Sequence, residues 1–263
     1  GSGMVFNITE CVDFHHGKRI VITILVCGHD VVIIMHKEGD ALLIQQPVYY
    51  PFREVIEDNG RIFVNNQLHY EDGKYTIDFE DFEKKIVDNN VKVFILCNPH
   101  NPVGRVWTKE ELEKMGDICL KHNVVIMDDE IHCDFTYPGF KFTSFMTLDK
   151  KYHNSLVLYT SPSKTFNVAG LQPANIIIKN QELRAAYRKA NVAAGYSQGS
   201  IMGQVAVKSV YTKGDEWVNE LVEYITGNMN YMRDFVKENF PKAQFVDPEG
   251  TYLTWVDFSG YGF

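Results

Sequence analysis

The chain has 263 residues, is 45% hydrophobic and carries a net charge of −8, enough apolar material to bury a large core in one or two domains. An acidic balance with no basic block excludes nucleic acid and an anionic membrane surface as main partners. The cysteines (Cys11, Cys27, Cys97, Cys119, Cys133) are scattered, odd in number and without C-x-x-C spacing, which predicts a reduced, cytoplasmic protein rather than a disulfide framework.

Residues 1–4, Gly-Ser-Gly-Met, read as a cloning remnant closing on a start methionine and are set aside. Within residues 5–36, two β-branched runs at 20–26 and 31–35 flank Cys27-Gly-His-Asp30, which predicts a hairpin. Neither run approaches the roughly 20 residues that a membrane helix needs.

From residue 41 onward short apolar runs alternate with helical patterns. Segments 41–45, 91–97, 124–127, 156–159 and 175–178 read as strands apolar on both faces, as suits a sheet covered by helices. Between them, 78–87 puts Phe79, Phe82 and Ile86 on one helical face. Thr108-Lys-Glu-Glu111 is a capping box that opens a helix burying Leu112, Met115 and Cys119. Segment 181–194 is a further helix. The expectation for 37–213 is an α/β domain, a mostly parallel sheet sandwiched by helices. Beyond Gly214, residues 215–239 read as one long helix drawing apolar contacts from Trp217, Leu221, Tyr224, Tyr231 and Phe235, stopped by Pro241. Strand-like pieces at 244–246 and 252–258 then predict the start of a smaller α+β domain over 214–263. There is no internal repeat and no low-complexity tract.

The polar clusters all follow predicted strands, where open α/β sheets bind ligands. Asn98-Pro-His-Asn101-Pro-Val-Gly104 follows the strand at 91–97, Asp129-Glu-Ile-His132 the one at 124–127, and Ser161-Pro-Ser-Lys164-Thr-Phe-Asn-Val-Ala-Gly170 the one at 156–159. Together they supply an amine, a carboxylate and an amide. Pyridoxal phosphate needs that set: an imine partner, a partner for its ring nitrogen and a donor to its ring oxygen. Each member has a plainer reading beside this one. Asp129 can cap the next turn, Asn101-Pro102 is a turn signal, and Tyr49 and Tyr50 can be packing tyrosines rather than a face for a flat ring. A zinc site on His132 and Cys133 is not predicted, because no further ligands lie nearby in sequence.

With these residues in place the chain resembles the fold-type I pyridoxal-phosphate enzymes, in the cystathionine β-lyase/cystalysin branch of the class I/II aminotransferase superfamily. The matching stretches are Gln46-Pro-Val-Tyr-Tyr-Pro-Phe52, Cys97-Asn-Pro-His-Asn-Pro-Val-Gly-Arg-Val-Trp107, Asp129-Glu-Ile-His132, Ser163-Lys-Thr-Phe-Asn-Val-Ala-Gly170 and Gly250-Thr-Tyr-Leu-Thr-Trp-Val-Asp-Phe258. They keep the family's order and spacing over residues 37 to 263. The resemblance implies that Lys164 bonds the cofactor and acts as the catalytic base. It implies that Asp129 pairs with the pyridine nitrogen, that Asn101 reaches the ring hydroxyl, and that Tyr49 stacks on the ring with Tyr50 near the cofactor or substrate. Ser161 and Ser163 become phosphate contacts, and His132 stands where aminotransferase relatives often carry tyrosine. The implied activity is β-elimination from cystathionine or cysteine-type amino acids in a homodimer, with transamination by the same residues as the alternative.

Against the family pattern the chain is truncated at both ends. The arginine that binds the substrate carboxylate in relatives has no match in Arg184 or Arg188. Residues 5–36 also diverge: where relatives place a glycine turn and a helix for the cofactor phosphate, only Gly17, beside Lys18 and Arg19, remains as a candidate for that turn. These departures add a second alternative, a catalytically incompetent fragment surviving as a binding or structural remnant.

Overall fold

A computed structural model describes residues 5–7, 37–193 and 200–262. Gly17 and the hairpin expected over 20–35 lie outside the described residues.

The centre is a seven-stranded sheet. Its strands are β1 (Val5–Asn7), β2 (Ala41–Ile44), β3 (Ile62–Asn65), β6 (Val93–Cys97), β7 (Val125–Asp129), β8 (Leu156–Thr160) and β9 (Asn175–Ile178), in the order β1-β9-β8-β7-β6-β2-β3. A hairpin of β4 (His69–Glu71) and β5 (Lys74–Thr76) stands apart from it. Strands β2, β3, β6, β7 and β8 are parallel, as expected. β9 instead returns antiparallel to β8. The connection between them holds only a short 3-10 turn, Ala169–Leu171, and a parallel return needs a crossover, usually an α-helix.

Side chains alternate across a strand, and here both faces are apolar. Leu42, Ile44, Val93, Ile95, Met127, Val157 and Ile176 face one core with Phe52, Ile56 and Tyr187. Ala41, Leu43, Phe94, Leu96, Ile126 and Leu156 face the other with Phe82, Trp107, Met115 and Tyr152. Each fully buried aliphatic side chain contributes roughly 1.5–3 kcal/mol, so the two cores together hold the sheet in a fixed register.

Helix α1 (Pro51–Asp58) buries Phe52, Val55 and Ile56. Helix α2 (Phe79–Asp88) starts where the Asp78 carboxylate accepts from the Glu80 and Asp81 amides, and it buries Phe82 and Ile86. Helix α3 (Lys109–Lys121) opens on the predicted capping box: Thr108 Oγ1 accepts from the Glu111 amide at 3.2 Å, and Glu111 Oε2 from the Thr108 amide at 2.8 Å. Gly116 sits inside α3 because a Cβ there would lie 2.6 Å from the Tyr152 ring and 2.9 Å from that of Phe145.

Helix α4 (Gln181–Ala193) is as predicted, whereas α5 (Ile201–Lys213) was not foreseen. The long helix α6 runs Asp215–Asn239, but its aromatic residues do not bury as expected. Trp217, Tyr224 and Tyr231 are 53%, 70% and 72% exposed, and Met229 and Val236 are the buried positions. Among the described elements, α5 and β10 (Gln244–Val246) make the most extensive contact with α6. β10 pairs antiparallel with β11 (Trp255–Asp257), a shorter strand than the 252–258 expected.

Candidate active site

The carboxyl ends of β2, β6, β7 and β8 lie side by side, and each feeds a loop bearing at least one predicted site residue. The β7 ladder runs further than expected. Asp128 pairs with Leu96 and Leu158, and Asp129 with Cys97 and Tyr159. Asp129 is therefore the last residue of the strand rather than the first of the turn. Its Oδ1 also accepts from the Ile131 amide at 3.1 Å, so it does cap that turn. Burial lifts the carboxyl to about 6, against the lowering influence of the Ile131 N–H and of Lys164.

Lys164 follows β8 in the next loop, half-buried on the wall of a cavity of about 740 Å³ with Phe135, Thr165, Trp217, Met229 and Tyr252. Its charge acts on both Asp129 and His132. Thr165 beside it is buried and donates to Asp134 Oδ2 at 2.7 Å. Trp217 Nε1 donates to the Thr165 carbonyl at 3.5 Å, which ties α6 to the lysine loop.

Asn101 leaves the β6 loop with its Nδ2 3.5 Å from His132 Nε2, while its amide donates to Cys97 Sγ at 3.4 Å. His132 is 1% exposed, and its Nδ1 has no hydrogen-bond partner. Burial, with Lys164 adding to it, drives the imidazole down to about 3, so it stays neutral. Asn101 is then the donor and His132 the acceptor.

Tyr49, half-buried after β2, stands 5.7 Å edge-on to Phe52 and feels the Asp129 charge. Burial, then Tyr50, then Asp129 raise its phenol. Tyr50 stands beside it with ring centroids 5.8 Å apart, yet it is 71% exposed. The structure thus draws Tyr49, Asn101, Asp129, His132 and Lys164 together and leaves Tyr50 facing outward.

Ser161 and Ser163 form a pair ahead of Lys164. Their hydroxyls are 2.5 Å apart, the Ser163 amide donates to Ser161 Oγ at 3.1 Å, and both hydroxyls reach the Pro173 carbonyl. Gly17 lies outside the described residues and has no place in this geometry.

Several contributors were not singled out from sequence. His100 Nε2 donates to the Pro47 carbonyl at 2.9 Å and so joins the Asn101 loop to the Tyr49 loop. Its ring packs edge-on against Trp107 at 5.3 Å, and Trp107 Nε1 donates to the Cys97 carbonyl at 2.9 Å. Behind Asp129, Asp128 and Glu130 are both buried. Burial and Glu130 hold the Asp128 carboxyl well above its usual range, and burial takes Glu130 to about 7, with its Oε1 accepting from the Phe145 amide at 3.0 Å. Their signal in sequence was the acidic triplet itself, which reads equally as turn capping. No group of His, Cys, Asp or Glu able to hold a metal occurs among the described residues.

The arrangement offers an amine across from a carboxylate, with an amide donor and an aromatic face beside them. It suits a flat aldehyde with a basic ring nitrogen. The lysine can bond the aldehyde, the carboxylate can keep the ring nitrogen protonated, and the lysine, once released, can serve as a base.

The family model "Aminotransferase class I and II" matches residues 27–261. The chain is 43% identical to the cystathionine beta-lyase PatB of Bacillus subtilis over 224 residues, covering 85% of this chain and 58% of that protein. It is 32% identical to the protein MalY of Escherichia coli over 220 residues, covering 83% and 56% respectively. Among solved structures it superposes with a TM-score of 0.90 on cystalysin from Treponema denticola, which contains a pyridoxal 5'-phosphate cofactor, at 35% identity over 98% of this chain and 62% of that one. The chain therefore spans somewhat under two thirds of the length of these relatives.

Proposed function

Because the chain belongs to the aminotransferase class I and II family, we propose that it forms the cofactor-binding part of a pyridoxal-phosphate-dependent carbon–sulfur β-lyase acting on cystathionine or cysteine-type amino acids. One observation carries the reading. Lys164 and Asp129, from neighbouring strand ends, lie within each other's electrostatic reach, with Tyr49 and Asn101 beside them. In that site Lys164 would hold the cofactor, Asp129 its ring nitrogen and Asn101 its ring hydroxyl. Tyr49 would cover the ring face, and Ser161 and Ser163 would turn toward the phosphate. When bound, pyridoxal phosphate supplies an electron sink for the substrate α-carbon.

The remaining steps belong to the chain's own groups. Lys164 Nζ, freed when a substrate amine takes its place, removes the α-proton. The electron pair left behind by that proton forms the double bond between the α- and β-carbons as the β-sulfur departs with the pair of its C–S bond. The released thiolate takes up a proton, and water completes the breakdown of the remainder to pyruvate and ammonia. Asp129, ionised above about pH 6, would hold the ring nitrogen in its protonated form. Neutral His132 holds Asn101 Nδ2 in place without adding a competing charge.

The same proposal takes 37–213 as the cofactor-binding part and 214–263 as the start of a smaller one, in a homodimer. It places the protein in the cytoplasm. Cys97, Cys119 and Cys133 are free thiols, and no helix among the described residues is long and apolar enough to cross a membrane.

The test is an absorbance spectrum after adding pyridoxal phosphate and removing the excess, beside Lys164→Ala, followed by pyruvate assay with cystathionine. A visible band and pyruvate release, both lost in Lys164→Ala, are expected. A band with amine transfer to a keto acid but no pyruvate would replace the lyase with an aminotransferase. No band in the parent chain would refute cofactor binding by this chain and leave a catalytically incompetent fragment.

A further inference from the structure

The turn between β10 and β11 takes no part in the chemistry above, yet it is built into the site. The Glu249 and Gly250 amides both donate to the Gly104 carbonyl, at 2.8 and 3.0 Å. On its other side the Tyr137 amide donates to Glu249 O, and the Thr251 amide to Phe135 O, each at 3.0 Å. Tyr137 Oη adds a bond to Thr251 O at 2.8 Å. The fit excludes side chains at two positions. A Cβ on Gly104 would lie 2.6 Å from that of Pro248, and one on Gly250 2.5 Å from Phe135 O.

Charges lock this turn in place. Glu249 Oε2 accepts from Arg105 Nε at 2.9 Å and from the Val106 amide at 2.8 Å, and Oε1 pairs with Lys74 at 2.9 Å. The side chains of Arg105 and Glu249 are only 3% and 8% exposed. Arg105 also donates to both oxygens of Glu111, at 3.0 and 2.9 Å, and to the Tyr75 carbonyl, and its guanidinium lies 4.6 Å from the Trp107 ring. A desolvated pair of this kind is costly unless its geometry satisfies every partner. Here it does, so the pair fixes the turn in one position rather than merely adhering to it.

The residue that this position presents to the site is Tyr252. Its ring lies 5.3 Å from His132 and 5.1 Å from Phe135, and it lines the cavity with Lys164. We propose that Arg105 and Glu249 are positioning residues, a latch between the Asn101 loop and the β10–β11 turn that sets Tyr252 as a wall of the Lys164 site and steadies His132 toward Asn101. Its consequence for cofactor binding rests on the lyase reading; the coupling of Glu249 to His132 does not.

The experiment compares the parent chain with Tyr252→Ala and Glu249→Ala by NMR of histidine ring carbons, with His132 assigned from its loss in His132→Gln. Ring currents from Tyr252 and Phe135 displace the His132 signals. Tyr252→Ala should remove the Tyr252 share, and Glu249→Ala should move the same signals in the same direction by a comparable amount. Both variants should also weaken pyridoxal phosphate binding by roughly tenfold, the size of one lost positioning contact. A folded Glu249→Ala with His132 at its parent position, while Tyr252→Ala shifts it, overturns the latch. If Glu249→Ala fails to fold, Glu249→Gln takes its place. It keeps a neutral acceptor for Arg105 and Val106 but removes the charge that pairs with both Arg105 and Lys74, so a smaller shift in the same direction supports the latch and an unmoved signal overturns it. A parent chain that takes no cofactor defeats the lyase reading, and the NMR comparison still decides the latch.

Discussion

Asp129→Asn is expected to stabilise the cofactor-free chain and to do so more at higher pH. The carboxyl is held at about 6 in the fold against 3.8 in an unperturbed chain. Below 3.8 both states are protonated and the residue is neutral to stability. Between the two values the unfolded chain ionises first, so stability falls as pH rises. Above 6 the full penalty applies, and a gap of about two pKa units at 1.36 kcal/mol each amounts to roughly 3 kcal/mol. Solvent reaching the half-buried carboxylate trims this to roughly 1–3 kcal/mol. At pH 5 only about half of the penalty is present. Asparagine keeps an oxygen for the Ile131 amide, so it removes the charge and little else. Urea unfolding of both proteins at pH 5 and pH 8 measures the effect. A variant that is less stable than its parent at pH 8, or a gain that does not grow between pH 5 and pH 8, would refute the reasoning.

Two further outcomes follow from the same structure. His100 is held down to about 4 by burial, with Arg105 assisting and the Pro47 carbonyl opposing. The unfolded chain therefore takes up a proton below 6.5 that the fold refuses, and this should cost roughly 3 kcal/mol by pH 4. His100→Gln keeps a donor for Pro47 and should flatten that acid loss in a pH series of melts; an unchanged slope would count against it. Gly116→Ala drives a methyl into the Tyr152 and Phe145 rings and should cost roughly 1–3 kcal/mol in denaturant unfolding, an account that fails if stability holds.

The grouping of the candidate site residues was legible in the sequence because they sit at or just after the ends of apolar strands. A parallel sheet gathers those ends on one edge whatever the strand order, so Lys164, Asp129 and Asn101 could be grouped without knowing the topology. Tyr49 packs edge-on to Phe52 beside the site while Tyr50, in helical backbone at the cap of α1, is exposed, a difference that the Tyr-Tyr pair does not announce in sequence. Helix α5 escaped because its apolar residues do not form one face. Ile201, Met202 and Val205 are exposed, and its buried position is Gly203, which carries no hydrophobic signal. Helix α6 shows the opposite failure. Its bounds were clear from its pattern, but periodicity reports an apolar stripe and not what covers it. The Arg105–Glu249 pair spans 144 residues, and nothing local distinguishes either member from a surface charge.

These failures share a cause with the site's energetics. The ends of β6 and β7 hold Asp128, Asp129, Glu130, His100 and His132 in surroundings that push every one of them toward its neutral form. A cluster of that kind destabilises the fold, and no local propensity would select it. It persists because the two cores on either face of the sheet supply far more than it costs, and because its members are fixed from several directions at once. For Asp129 the cost has a direction. A carboxylate that burial leaves short of positive charge gains most from a ligand that brings a protonated ring nitrogen to join Lys164, which already acts on it. The penalty that Asp129→Asn would relieve in the empty chain is, on the proposed function, the same energy that favours the cofactor's protonated ring. Stability and affinity should then move in opposite directions at this one residue, whereas at Glu249 the latch requires that they fall together.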